Sequence, residues 1–463
     1  MHKRSITAFV LTMMNLATVL SIRNWPFAAE FGFSSLFYIL LGVLVFFIPS
    51  ALVSAELATG WPQQGGIFVW VKEALGNRMG FLAVWLLWIE NVVWYPAALS
   101  FIAGTLAYAI NPALVDNSLY NFFMILIIFW GMTLINLKGI RFSGIFSTFG
   151  VILGTLVPGT LIVALGFSWL VGDNPIQIEM NFDTFIPKIS HPYELVFLAG
   201  VMLNFVGIEM NAVHASDVEN PRRSFPIAIF ASLIIIVLFS GLGTLAIAMV
   251  IPKGQISLVA GSIAAIDYFL KAYHLNSLIP VISLLIAFGA LAGLSTWIVG
   301  PSRGVLTAAQ NGDLPPILHT VNRHGMPLGM LLLQGGIVTF LAFIFLLLPS
   351  VNGSFWIMSV MVSQLYLLMY LLLFITAIVL RIKKPEVSRS FMIPGGKIGL
   401  WTTCLLGIGS SLFCFIIGFL PPSQIEVGHT LQYEIVQITG VVLLALAPFI
   451  ILLFKKPSWD RVN

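Results

Sequence analysis

The chain has 463 residues, 59% hydrophobic and only 9% charged, with a mean hydropathy of +1.01. Soluble domains carry roughly 45–50% apolar and about 25% charged residues, so no soluble core could bury this much apolar side chain. The formal charge of +4 with a pI near 9.0 requires no nucleic-acid partner, because the 37 Phe and 12 Trp sit in apolar runs and are not interleaved with Lys and Arg as base stacking demands.

Apolar runs of about 20 residues recur along the whole length, each long enough at about 1.5 Å per residue to cross roughly 30 Å of hydrocarbon. They predict an all-α membrane protein of one domain, 1–463, with twelve spans over 5–29, 34–58, 79–110, 119–137, 143–171, 192–216, 225–251, 276–302, 327–349, 355–380, 398–420 and 433–454. With the N-terminus inside, eighteen of the 22 Lys and Arg fall in cytoplasmic segments, Lys188, Lys253 and Lys271 fall outside, and Arg23 is left within the first span. This is the bias that short loops show across a bacterial inner membrane. It supports the helix count and places both termini in the cytoplasm.

Span 1 begins behind Lys3 and Arg4 but has no small-residue cleavage site followed by a soluble chain, so it reads as a retained helix and not a leader. Its sequence, NLATVLSIRNWPFAAEFGF, is interrupted in mid-crossing by Ser21, Arg23, Asn24 and Pro26, with Trp25 among them. Proline removes a backbone donor and disfavours helix at the residue before it, which predicts a break around Asn24–Pro26. Glu56 in span 2 and Glu90 in span 3 are each either an internal helix–helix link or part of an inner vestibule.

Span 6 reads ELVFLAGVMLNFVGIEMNAVHASDVENPRR and packs Asn204, Gly207, Glu209, Asn211 and His214 into its middle and inner parts. Gly207 permits an unwound turn, and the two asparagines can bond freed backbone groups. Asp217, Glu219, Asn220, Arg222 and Arg223 follow as a polar turn, and Arg303 follows WIVGPSRG at the end of span 8. Glu219, Arg222 and Arg303 are candidates for an inner gate, or else for a solvated loop. Tyr366 and Tyr370 share one face of span 10 as a candidate lid. Cys404 and Cys414 lie too far apart on span 11 to bridge. Neither a metal or cofactor site nor an enzyme's nucleophile is legible.

The two breaks hold corresponding places if 5–171 and 192–380 are repeats of five spans each, the second entering from the opposite face, with 398–454 adding two helices. Paired half-helices present N–H groups and bare carbonyls at mid-membrane, where they can hold a carboxylate and an ammonium. Such a site suits a zwitterion, although each break read alone could be a packing kink. Glu209 is a candidate for binding an ammonium, for carrying a proton, or for a structural hydrogen bond. Arg23 could pair with Glu209 or meet an anionic substrate group. His214, with a reference pKa near 6.5, is a second proton-coupling candidate.

The segments ELATGWPQQGGIFVWV at 56–71, VGIEMNAVHASDVENPRRSFPIA at 206–228, AIAMVIPKG at 246–254, STWIVGPSRG at 295–304, IPGGK at 393–397 and GFLPP at 418–422 occur in order. Together they make the chain resemble the amino acid–polyamine–organocation superfamily, and more closely its bacterial glutamate/γ-aminobutyrate antiporters. The resemblance implies a ten-helix inverted-repeat core with broken helices 1 and 6 plus two C-terminal helices, and a sodium-independent cycle. It places Glu209 at the glutamate of broken helix 6, and Tyr366 and Tyr370 at two tyrosines near the substrate path. Arg23 and Trp25 stand where those antiporters have tyrosines, and Gly293 stands where they have a glutamate. The chain ends shortly after span 12, so their C-terminal plug is not expected. The expected function is secondary active exchange of an amino acid, acidic or neutral, by alternating access. The alternatives are a proton-coupled importer of an amino acid or polyamine, and a non-transporting sensor or scaffold.

Overall fold

Backbone polar groups in hydrocarbon must be satisfied within their own segment, so a chain of this hydropathy crosses as helices. The computed structural model describes residues 6–63, 65–138, 150, 152–189, 191–212, 218–423 and 425–459, without the side chains of Ala17, Asn211, Ala212 and Thr296. Among these residues, ten helices are long and apolar enough to cross a bilayer: Gly32–Gly60, Asn77–Ile110, Ser118–Asn136, Ile152–Val171, Pro221–Val250, Asn276–Asp313, Leu328–Leu347, Val351–Lys383, Gly396–Ile417 and Thr430–Leu453. They are spans 2 to 5 and 7 to 12. The remaining two, spans 1 and 6, are the ones whose helices are interrupted.

Span 1 is helical over Ala8–Val19, becomes extended at Leu20 (φ −74, ψ 115) and Ser21 (φ −142, ψ 120), passes through one tight turn at Ile22–Asn24, and resumes as Trp25–Ala29. The break therefore lies upstream of the expected Asn24–Pro26. Pro26 lies in the first turn of the second half-helix, where its missing N–H would have had no partner anyway and its fixed φ is already helical. Span 6 is helical over Leu198–Met202 and Glu209–Ala212, with Gly207 at φ +106 between them.

Two shorter helices lie where the sequence suggested only connections. Ile67–Leu75 is bounded by Gly65, Gly66 and Gly76, all at positive φ, so these glycines supply the turns at its two ends. Gly261–Ala272 follows span 7, and its Ser262 Oγ donates to the Ile22 carbonyl at 2.6 Å, satisfying an acceptor freed by the break in span 1.

Small residues set the closest approaches. A Cβ on Gly154 would stand 2.2 Å from the Gly289 Cα, so spans 5 and 8 meet backbone to backbone. On the side of the chain's first residues, Glu56 is an internal link: its carboxylate accepts from Arg381 Nε at 2.7 Å, from Arg381 Nη2, and from the Ile393 amide at 2.8 Å. Arg389 Nε stands 3.5 Å from the same carboxylate, and its guanidinium covers Trp61 at 5.0 Å. Burial lowers the Arg389 pKa and Glu56 opposes the shift. Span 2, span 10 and the connection to span 11 are pinned together there. The Glu219 amide donates to the Ile6 carbonyl at 2.8 Å, so the chain before span 1 is clipped to the chain after span 6.

Candidate functional site

The two breaks are joined directly. Asn24 Nδ2 donates to the Leu203 carbonyl at 3.1 Å, which places the tight turn of span 1 on the last turn before the gap in span 6. Gly207 lies against Thr18, where a Cβ would stand 3.3 Å from the Thr18 carbonyl oxygen. A side chain here would face both this contact and the positive φ. The Gly207 amide donates to Tyr370 Oη at 3.0 Å, and Tyr370 Oη donates in turn to Glu209. Tyr366 Oη donates to the other Glu209 oxygen at 2.6 Å. Each phenol has one proton and both are spent on Glu209, so this buried carboxylate is held by two donors from span 10.

Beside this network, a cavity of about 130 Å³ opens between the breaks and spans 3, 5, 8 and 10. Its polar wall is formed by Thr18, Ser21, Arg23, Asn24, Glu90, Asn91, Thr155 and Tyr366, and its apolar wall includes Trp94, Val206, Leu294 and Trp297. Arg23 is only 8% exposed. Its guanidinium lies 4.7 Å from the Trp94 ring centre, and its Nε donates to Asn24 Oδ1 at 3.2 Å. Its Nη1 is buried without a hydrogen-bond partner among the described residues. A buried guanidinium nitrogen without an acceptor is costly, and an anion entering the cavity would supply one. Glu90 is 2% exposed, and among the described residues the hydrogen bond it receives comes from the adjacent Asn91 amide. Tyr95 Oη donates to the Trp297 carbonyl at 2.9 Å, fixing span 3 to span 8 at the same depth. Gly293 also lines the cavity, and a Cβ there would meet nothing within 4 Å.

Of the residues proposed from the sequence to bind or gate, Arg23 and Tyr366 line the cavity, and Ser21, Asn24, Glu90 and Gly293, also singled out there, line it with them. Glu209, Gly207 and Tyr370 form the network behind Tyr366. Asn204 turns back along its own helix, donating to the Val201 carbonyl at 3.2 Å. Trp25 does not reach the cavity. It is fully buried between spans 5 and 7, where a Cβ on Gly243 would stand 2.3 Å from its ring; in that helical turn its side chain points away from Arg23's neighbours. The pairing of Arg23 with Glu209 does not form, since Glu209 is engaged by the tyrosines and the acid sharing the cavity with Arg23 is Glu90. The side chain of Asn211 and the whole of His214 lie outside the described residues. Glu219, Arg222 and Arg303 form no ion pair with one another among the described residues, and all three are exposed. Arg303 Nη2 instead points at Met326 Sδ, 3.8 Å away.

The sequence reading missed Asn91 and Trp94, and placed Glu90 only as one alternative of two. A signal was present: Glu90, Trp94, Ala98 and Ile102 repeat at helical spacing along span 3, and all four line the cavity.

Comparison with known proteins agrees with this architecture. An uncharacterized transporter of Legionella pneumophila is 41% identical over 460 residues, covering 99% of this chain and 98% of that protein. A glutamate/gamma-aminobutyrate antiporter of Lactococcus lactis is 35% identical over 472 residues, covering 100% of this chain and 93% of its own. A cadaverine/lysine antiporter of Escherichia coli is 26% identical over 310 residues, 66% of each chain. The amino acid permease family model matches residues 4–444. A polytopic all-helical chain with spans 1 and 6 interrupted, matched over nearly its whole length in this way, belongs to the amino acid permease family.

Proposed function

We propose that the protein exchanges amino acids across the bacterial inner membrane by alternating access, with both termini in the cytoplasm. The observation that carries this reading is the cavity bounded by the two breaks, in which the Arg23 guanidinium has a buried nitrogen without an acceptor among the described residues and faces a wall that also holds Glu90. Such a pair suits a substrate with a carboxylate and an ammonium. It favours acidic or neutral amino acids over polyamines, because Arg23 repels a second cationic group. The relatives named as antiporters of glutamate and gamma-aminobutyrate, or of cadaverine and lysine, support exchange as the mode.

In this reading 5–171 and 192–380 are inverted repeats whose broken helices rock against the rest, and 398–454 supplies two additional helices. Glu209 acts as the latch between span 6 and span 10, and Tyr366 closes over the substrate. Glu219, Arg222 and Arg303 belong to the inner mouth and pair only in a different conformation. The test is counterflow in proteoliposomes against a panel of amino acids and amines at two pH values. Labelled amino acid is expected to enter only vesicles preloaded with unlabelled amino acid. Accumulation in empty vesicles under a pH gradient would replace exchange by symport, and no uptake of any amino acid would refute the reading.

A further inference from the structure

The two buried carboxylates near the cavity differ in how they are held. Glu209 accepts from two phenols and is walled off behind Tyr366. Glu90 lines the cavity itself, and among the described residues a single side-chain amide, that of Asn91, is its donor. The charged and titratable groups facing Glu90 are Arg23 from span 1, Glu209 from span 6, Tyr366 and Tyr370 from span 10, and Tyr95 on span 3. Span 8 brings Gly293 and Trp297 to the cavity, neither of them titratable.

We propose that Glu90 is the proton-exchanging carboxylate of the transport cavity, so that a mono-anionic amino acid crosses with one proton and a zwitterion crosses with none. This rests on the amino acid exchange proposed above. The reason is charge balance at membrane depth once the loaded cavity closes off from bulk water. Glu209 accepts from the same two phenols whichever substrate is bound, and so cancels from the comparison. With Glu90 ionised, Arg23 and Glu90 sum to zero, and a zwitterion leaves the sum at zero. An anionic amino acid under the same conditions would leave one uncompensated negative charge at membrane depth, which is strongly disfavoured. If Glu90 first takes one proton from the solvent on the loading side, the Arg23 charge balances the anion. When the anion leaves on the other side, the same proton leaves Glu90. Exchange of an anion for a zwitterion then moves one anion and one proton in one direction and no net charge.

The experiment uses the purified full chain in proteoliposomes with a pH dye inside, an imposed potassium-diffusion potential, and glutamate or aspartate as anionic probes against γ-aminobutyrate or glutamine as zwitterions. In the wild type, entry of the anion in exchange for internal zwitterion is expected to acidify the lumen, one proton per anion, and to be insensitive to voltage. E90Q fixes the neutral form. It is expected to move no protons, to give residual anion–anion exchange a flat profile over pH 5–8 whatever its rate, and to lower zwitterion–zwitterion exchange at least ten-fold more than anion–anion exchange. E90D, which restores a carboxylate, is expected to recover proton entry. The proposal is overturned if wild-type exchange of anion for zwitterion follows the voltage without acidification, a result that needs no variant to fold. It is equally overturned if E90Q keeps wild-type proton entry. Wild-type vesicles that exchange none of the probes would instead remove the functional reading, and this inference with it.

Discussion

Replacing Tyr370 by phenylalanine should destabilise the protein more than the same change at Tyr366, although both tyrosines donate to Glu209. Y366F removes one hydrogen bond, Tyr366 Oη to Glu209 at 2.6 Å. Y370F removes the matching bond from the other phenol and also strips the acceptor from the Gly207 amide, which donates to Tyr370 Oη at 3.0 Å. Hydrogen bonds between membrane helices are worth about 0.6 kcal/mol on average and up to about 1.7, while a bond to a charged group is worth about 1.5–3 kcal/mol. The loss of this acceptor adds up to about 1–3 kcal/mol, because Gly207 lies in an unwound segment and its amide is left with the Glu209 carboxylate alone among the described residues. We therefore expect a loss of about 1–2 kcal/mol for Y366F and about 2–4 kcal/mol for Y370F. The assay is thermal unfolding of the detergent-solubilised variants followed by monodispersity on size exclusion, with exchange measured in parallel. Y366F, which lines the cavity, should show the larger change in substrate KM, and Y370F the lower apparent Tm. Equal melting of the two variants, or a more stable Y370F, would refute the reasoning that makes Tyr370 the acceptor holding the break in span 6.

Arg23→Ala should weaken acidic substrates about ten-fold or more, a difference of about 1.4 kcal/mol, and neutral ones less; equal losses in competition assays would remove the anion-binding role. Glu56→Gln should cost about 3–5 kcal/mol because two guanidinium groups then share one neutral partner in a buried setting. Lys384→Ala, which breaks only the half-exposed pair with Glu73, should cost under about 1 kcal/mol, and an apparent Tm ordering opposite to this would count against Glu56 as the link. Gly243→Ala would place a Cβ 2.3 Å from the Trp25 ring and should destabilise by about 1–3 kcal/mol through overpacking. A wild-type Tm for that variant would show that Trp25 is free to move.

Much of the fold could be read from the chain because its signals are local. Ten of the twelve spans emerge as helices, and the other two are the segments where Arg23, Asn24 and Pro26, or Asn204, Gly207 and Glu209, interrupt the apolar pattern. The register of the first break was misjudged because proline both ends and begins helices. Pro26 is in the opening turn of Trp25–Ala29, and the extended residues are Leu20 and Ser21. The helices Ile67–Leu75 and Gly261–Ala272 were missed because they are short and bounded by glycine or polar segments that read as loops.

Hydrophobic length, the side on which Lys and Arg collect, and the two polar interruptions are properties of the chain as a string, and they determine that it crosses the membrane many times and twice unwinds. Each peptide group in hydrocarbon must find its partner nearby, so a failure of helix at mid-depth is written in the residues that replace that partner. Which side chains then face one another is a different matter, since each residue turns a helix face by about 100° and the rotation of one span against another is settled only by packing. That rotation turned Trp25 into a glycine-lined slot, gave Glu209 to two tyrosines, and put Glu90 beside Arg23 at the cavity wall.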